Sequence, residues 1–192
     1  MSTLSNFGVP LSGKAKTQLL QPKPKNRFRV RLYNFGPLGN SALDISSNVN
    51  SCGRPTRSMN EVTVHSYNST AYYAGKAEWN AIDLTIRDDV SNVVTTLVGY
   101  QLQKQMNAFE QTTPLAGSDY KFDMYLDILN GADGALETWT IEGAFITSAN
   151  YGEMDYSSAE SSMISLTIRY DNATQDGGLM EANPVLLTGP AL

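Results

Sequence analysis

The sequence is poor in the residues from which catalytic and metal sites are most often built. Its 192 residues include one histidine, His65, and one cysteine, Cys52. A zinc site needs several Cys or His ligands, so the chain cannot assemble one. A single cysteine cannot form an internal disulfide, so no oxidising compartment is implied. The sequence therefore predicts no metal, no cofactor and no enzyme activity.

Long apolar runs and a high charge density are also missing. No stretch approaches the 18 apolar residues expected of a membrane-spanning helix, and the first residues lack the pattern of a secretory signal. Charged residues make up 17% of the chain, below the ~25% of an average soluble domain. We expect a soluble domain made in the cytoplasm, with a polar surface suited to protein contacts.

Acidic residues are absent from the start of the chain. Residues 1–31 contain seven Lys and Arg and no Asp or Glu, whereas the remainder contains seven cations and nineteen acids. Such a basic segment could bind nucleic acid, stay solvated, or dock on the acidic body of a neighbouring copy. We favour docking on a neighbouring copy, because the acidic body of the chain supplies the complementary charge.

Strict alternation of apolar and polar residues is what the sequence has in abundance. A period of two predicts strands with one buried face. Between them, Gly75 predicts a hairpin turn, residues 130–134 predict another, and Gly143 predicts a bulge. The spacing of apolar residues predicts one amphipathic helix over 89–110, with Asp88 or Asp89 capping its first turn. Strands are predicted at 27–33, 61–65, 78–87, 120–129, 136–147 and 162–171.

These elements predict one mainly β domain with two packed antiparallel sheets, a β-sandwich or partly open barrel flanked by one helix. It covers residues 26–175 and includes a long loop at 34–57. Residues 1–25, with Pro22 and Pro24, predict an extended basic arm. Residues 176–192 predict a second arm.

Four blocks in this order resemble the major tail tube proteins of contractile-tailed bacteriophages. They are WNAIDLTIRDD at 79–89, WTIEGAFI at 139–146, YGEMDY at 151–156 and ISLTIRYDNA at 164–173. The resemblance implies hexameric rings that join into a β-barrel and stack as a tube within a contractile sheath, through which DNA is ejected. It also implies a place in the virion tail, with sheath, baseplate and tail-terminator proteins as partners.

The outward faces of the predicted strands supply the candidate site residues. Paired carboxylates could hydrolyse glycosides, but acids beside Ser and Thr on a strand more often form the wet face of a sheet. An acidic conduit would repel the phosphate backbone of DNA. The candidate lumen-facing acids are Asp83, Asp123 and Asp127, and the candidate inter-subunit contacts are Arg27, Arg29, Arg31 and Arg169.

Three alternatives remain open. The ring-forming tube protein of type VI secretion is similar in its expected fold, and a minor tube-initiator or baseplate protein would keep the same strand pattern. A carbohydrate-binding β-sandwich is a hypothesis of another class, supported by ten tyrosines and two tryptophans. That module would be a stable monomer with its aromatic side chains on one concave face.

Overall fold

The computed structural model describes residues 23–38, 42–130, 134–157 and 159–176, which are mostly β-structure. They form ten strands and one α-helix. In chain order the elements are β1 Phe28–Tyr33, β2 Ala42–Asp44, β3 Val49–Cys52, β4 Arg57–Ser66, β5 Ser69–Trp79, β6 Ile82–Arg87, α1 Val93–Gln105, β7 Phe122–Leu129, β8 Ala135–Asn150, β9 Met163–Arg169 and β10 Asn172–Asp176.

The longest strand, β8, belongs to two antiparallel sheets. Along one edge, its first half pairs with β7, which continues to β1 and β2. The opposite edge pairs with β10 in the first half and with β9 in the second, and β9 continues to β6 and β3. The predicted pair of antiparallel sheets with one helix is confirmed.

Gly143 marks the point where β8 passes from one sheet to the other. Its φ is +65°, a conformation that glycine adopts without a steric penalty. The register shifts here, with Phe122 opposite Ala144 and Met124 opposite Ile141. The predicted bulge is therefore present, and it bends and twists the strand.

The core forms where the alternating faces of the two sheets meet. In β9 the residues Ile164, Leu166 and Ile168 are almost fully buried, while Ser165 between them is exposed. The same alternation buries one face of β1, β6, β7 and the first half of β8, as the sequence predicted. The buried side chains of these strands include Val30, Leu32, Ile82, Leu84, Ile86, Phe122, Met124, Leu126, Ile128 and Ile141.

Helix α1 is shorter than predicted, because both of its ends turn away from helical geometry. Asn92 precedes it with φ 55°, and Met106 follows it in an extended conformation. Asp89 accepts a hydrogen bond from the backbone N–H of Val94 at 3.1 Å, as expected of a residue that caps the first turn. The helix packs on the core through one stripe, which consists of Val94, Leu97, Val98 and Gln101.

The predicted hairpin turn at Gly75 is wrong. The strands β4 and β5 form a hairpin that turns at Tyr67 and Asn68, and Gly75 lies inside β5 beside a register shift. A glycine within a strand relieves a close approach there, because a Cβ at Gly75 would lie 2.8 Å from the backbone oxygen of Asn60. The predicted strand 78–87 is accordingly split between the end of β5 and β6.

The segments predicted as a loop and as arms contain more structure than expected. Residues 34–57 include β2, β3 and a 3-10 helix, Gly36–Leu38. These elements are only three or four residues long, too short to show a period. Strand β10 ends at Asp176, the first residue of the predicted second arm. Most of both predicted arms, residues 1–22 and 177–192, lies outside the described residues.

Candidate functional site

The hairpin of β4 and β5 is the most exposed regular structure in the described chain. All ten residues of β4 are exposed, as are eight of the eleven residues of β5. Its strands pair with each other and with no other described strand. A two-stranded hairpin is marginally stable in water by itself. A partner that packs on this hairpin would therefore stabilise it.

The two faces of the hairpin differ in chemistry. Residues directly opposite each other share a face, so Val62 and Tyr73 lie together, followed by Val64 and Ala71. These are apolar, and Val62, Val64 and Tyr73 are 49%, 48% and 61% exposed. We call this set (Val62, Val64, Ala71 and Tyr73) the apolar hairpin face.

The opposite face carries polar groups. Thr63 pairs with Tyr72, and His65 pairs with Thr70, whose hydroxyl lies 3.4 Å from Nδ1 of the imidazole. Glu61 occupies the next position along this face. Only one side of the hairpin is therefore suited to burial against an apolar surface.

The base of the hairpin is fixed to the main body of the chain. Arg169 of β9 forms an ion pair with Glu78 at 2.6 Å. The ring of Trp79 packs on that of Tyr170, with 5.9 Å between centroids, and the Arg57 guanidinium lies over Trp79. These contacts position the base of the hairpin and leave its outer part exposed.

Open sheet edges and exposed apolar side chains give further contact surface. Among the described residues, β2 and β3 are the two edge strands of the hydrogen-bonded series that runs from β2 through β8 to β3. Unpaired strand edges pair readily with other chains. Beyond the hairpin, the large apolar residues that are more than 80% exposed are Val90, Phe109, Leu115, Met154 and Tyr156.

One predicted lumen acid, Asp127, lies under arginines of the same chain. Its side chain is only 1% exposed, and its carboxylate accepts hydrogen bonds from Arg29, Arg31 and the Thr138 hydroxyl. Burial raises the pKa of Asp127, but the hydrogen bonds from the two guanidinium groups and the hydroxyl outweigh it, so the pKa is lowered. Asp127 stays a candidate lumen-facing acid, but its carboxylate is covered by Arg29, which lies directly opposite it on β1, and by Arg31.

The other two acids take different positions. Asp83 is exposed on β6 and accepts a hydrogen bond from the Thr167 hydroxyl at 3.0 Å. Asp123 is half-buried and accepts the backbone N–H of Gly143 at 3.1 Å. Asp83 is therefore available to line a surface, whereas Asp123 holds the bulge of β8 in place.

The four arginines predicted as inter-subunit contacts bind three different groups of the same chain. Arg29 and Arg31 converge on Asp127, Arg27 donates to the backbone oxygen of Asn130, and Arg169 pairs with Glu78. Each keeps a partly or fully exposed side chain. Sequence reasoning did not identify the apolar hairpin face. The alternation in residues 61–65 indicates this face. The sequence pattern, however, predicts a hairpin of that strand with residues 78–87 and not with β5.

Reactive groups are few in the described part of the chain. No group of three or more His, Cys, Asp or Glu residues is placed to hold a metal ion there. Burial raises the pKa of Cys52 to about 12, so its thiol stays protonated and poorly nucleophilic. None of the described helices is long and apolar enough to cross a membrane.

Comparison with known proteins finds a phage protein that is similar along nearly the whole chain. No family model matches the chain. It is 24% identical to the tail tube protein of Serratia phage KSP90 over 180 residues, which cover 92% of this chain and 98% of that protein. The resemblance to phage tail tube proteins is confirmed.

Solved structures show the same fold. A chain of the anti-feeding prophage baseplate aligns with a TM-score of 0.65 at 16% identity, covering 82% of this chain and 97% of that one. A chain of the PVC extracellular contractile injection system, in its sheath–tube complex, gives 0.64 at 18% identity and covers 85% and 99%. The SPP1 tail tube gives 0.54 at 11% identity and covers 82% and 80%.

Proposed function

We propose that this chain is a structural subunit of a phage tail tube, in which copies form hexameric rings that stack into the inner conduit of a contractile tail. The observation that carries the proposal is the likeness to a phage tail tube protein along nearly the full length of both chains. The fold, shared with chains of contractile particles, supports it. The subunit acts by assembly and not by catalysis.

The exposed surfaces fit a role in assembly. The apolar hairpin face has no cover within the described chain, and a neighbouring copy would bury it. Pairing of open strand edges between copies would close the sheets into a barrel, which removes those edges. Head-to-tail contacts of this kind give rings where the rotation closes.

The lumen and the partners follow from this arrangement. Asp83, on an exposed strand face, is the best placed of the predicted acids to line the conduit, where a carboxylate repels the phosphates of passing DNA. We propose that sheath, baseplate and terminator proteins contact the outside and the ends of the tube in the virion, and that Arg27 and the basic segment before it contact a neighbouring copy.

Electron microscopy of the purified protein over a range of concentrations tests the proposal. We expect six-fold rings or open tubes. A chain that stays monomeric at every concentration and ionic strength would contradict the proposal, as would glycan binding by that monomer, which would favour a carbohydrate-binding sandwich. Immunogold labelling along the whole length of the tail would distinguish a major tube subunit from a tube initiator, which would label one end.

A further inference from the structure

A basic cleft lies where the segment before β1 crosses the sheets. It has a volume of about 630 Å³. The side chains of Phe28, Leu126 and Ile128 form its apolar floor. The cations around it are Lys23, Lys25, Arg27 and Arg54. We call this site the basic cleft.

Two of these cations form no close ion pair within the described part of the chain, and one of them, Arg54, interacts electrostatically with Glu137, the partner of Lys23. Lys23 pairs with Glu137 at 2.8 Å, and Arg27 donates to a backbone oxygen. Lys25 and Arg54 are exposed and form no ion pair with any described residue. An apolar floor with unpaired cations at its rim suits a ligand that is both apolar and acidic.

The loop after β8 has this chemistry. Residues 151–157 are all exposed and carry Glu153 and Asp155 between large apolar side chains. Met154 is 84% exposed and Tyr156 fully exposed. The Ser157 backbone N–H and hydroxyl hydrogen-bond to Asp155 and hold its pKa below the usual range, so the loop is anionic. We call residues 151–157 the acidic loop.

The cleft and the loop lie at opposite ends of the same strand. Lys23, which lines the cleft, forms an ion pair with Glu137 near the start of β8. The acidic loop instead follows Asn150, the last residue of β8. The full exposure of Tyr156 means that it does not fill the cleft of its own chain. Complementary surfaces at two different places on a subunit can form head-to-tail contacts between copies.

We propose that the acidic loop of one copy docks in the basic cleft of the next copy, with Glu153 and Asp155 facing Lys25 and Arg54 and with Met154 or Tyr156 on the apolar floor. This rests on the proposed function, because it requires the chain to assemble with itself. The contact sets the order of copies in a ring or of rings along the tube.

Charge reversal on each side tests the contact. We expect Glu153→Lys with Asp155→Lys to raise the concentration needed for assembly roughly 10- to 100-fold, because like charges across an interface oppose association. Lys25→Glu with Arg54→Glu should do the same. A chain with all four substitutions restores opposite charges and should assemble within roughly threefold of the wild type. Glu110→Lys with Asp119→Lys is the control for net charge, and circular dichroism checks the fold of each variant.

The outcomes separate this contact from the proposed function. If the wild type assembles but the variant with all four substitutions does not regain assembly, the docking of the loop in the cleft is overturned while the tube role stands. If only the cleft variant fails to assemble, another segment occupies the cleft, which also overturns the proposal. A wild-type chain that never assembles overturns both.

Discussion

The side chain of Gln105 takes the place of a strand beside Ile146. Its Oε1 accepts the backbone N–H of Ile146 at 2.9 Å, and its Nε2 donates to the backbone oxygen of the same residue at 2.8 Å. Strand β7 ends its pairing with β8 at Ala144. The amide at the end of α1 therefore satisfies the next two backbone groups along that edge and joins the helix to the sheet.

Replacing Gln105 by alanine should lower the free energy of unfolding by about 1–3 kcal/mol, because it leaves a backbone donor and acceptor without their partners. Gln103→Ala is the matched control. Its amide is exposed, donates to Asn107 and accepts the exposed backbone N–H of Ala108 at 3.4 Å, which water can replace, so a change within about 0.5 kcal/mol is expected. Urea denaturation followed by circular dichroism measures both, and equal losses would contradict this role of Gln105.

Gly143→Ala should destabilise the fold by about 2 kcal/mol or more, because its φ of +65° disfavours a side chain. A Cβ there would also displace the carboxylate of Asp171, which pairs with Lys121 at 2.6 Å. Gly99→Ala in α1 is the control, since nothing lies within 4 Å of the place that a Cβ at Gly99 would occupy. That change should stabilise the helix by about 0.5–1 kcal/mol, and thermal unfolding compares the two.

Asp127→Asn should lower the free energy of unfolding by about 1.5–3 kcal/mol, the range for hydrogen bonds to charged groups. The folded pKa of Asp127 is lowered, so its stabilising effect is complete above the unfolded pKa of ~3.9 and is lost as pH falls through the folded pKa. The stability difference between wild type and variant should therefore shrink in acid. Unfolding free energies measured between pH 7 and pH 2 test this, and a gap that widens in acid would contradict it. Asp83→Asn, at an exposed acid, should change little.

Two adjacent tyrosines test the orientation of the hairpin. Tyr73 lies on the apolar hairpin face and Tyr72 on the polar face, with similar exposures of 61% and 66%. Tyr73→Thr should raise the concentration needed for assembly roughly tenfold, the effect of losing a buried aromatic at an interface. Tyr72→Thr should have a smaller effect. Sedimentation velocity gives both values, and the reverse order would place the other face in the contact.

The sequence predicted the fold well wherever one face of a strand is buried. In β9, the alternation from Ile164 to Ile168 matches the observed burial residue by residue. It predicted β10 poorly, because Ala173 is the single buried residue in that strand. The hairpin turn at Tyr67 and Asn68 contains no glycine. The sequence pattern therefore predicts the turn at the nearby glycine, Gly75.

The candidate site was harder to predict than the fold, because a strand pattern says which face is polar and not what covers it. Asp127 lies on the predicted polar face, yet the cross-strand register places Arg29 opposite it and buries the carboxylate. Two features arise from tertiary contacts between distant segments. The hairpin is exposed, and residues 23–27 line the basic cleft together with residues of β3 and β7. The periodicity of the local sequence does not indicate such contacts.

The continuous backbone of β8 through both sheets has a mechanical consequence. Force applied to one sheet passes to the other through covalent bonds, and separating the sheets would require breaking the pairing of β8 with β7 and β10 in one sheet or with β9 in the other. Each copy can therefore bear a load between its two sheets as one covalently continuous unit, and the proposed tube would transmit force through such units without separating their sheets.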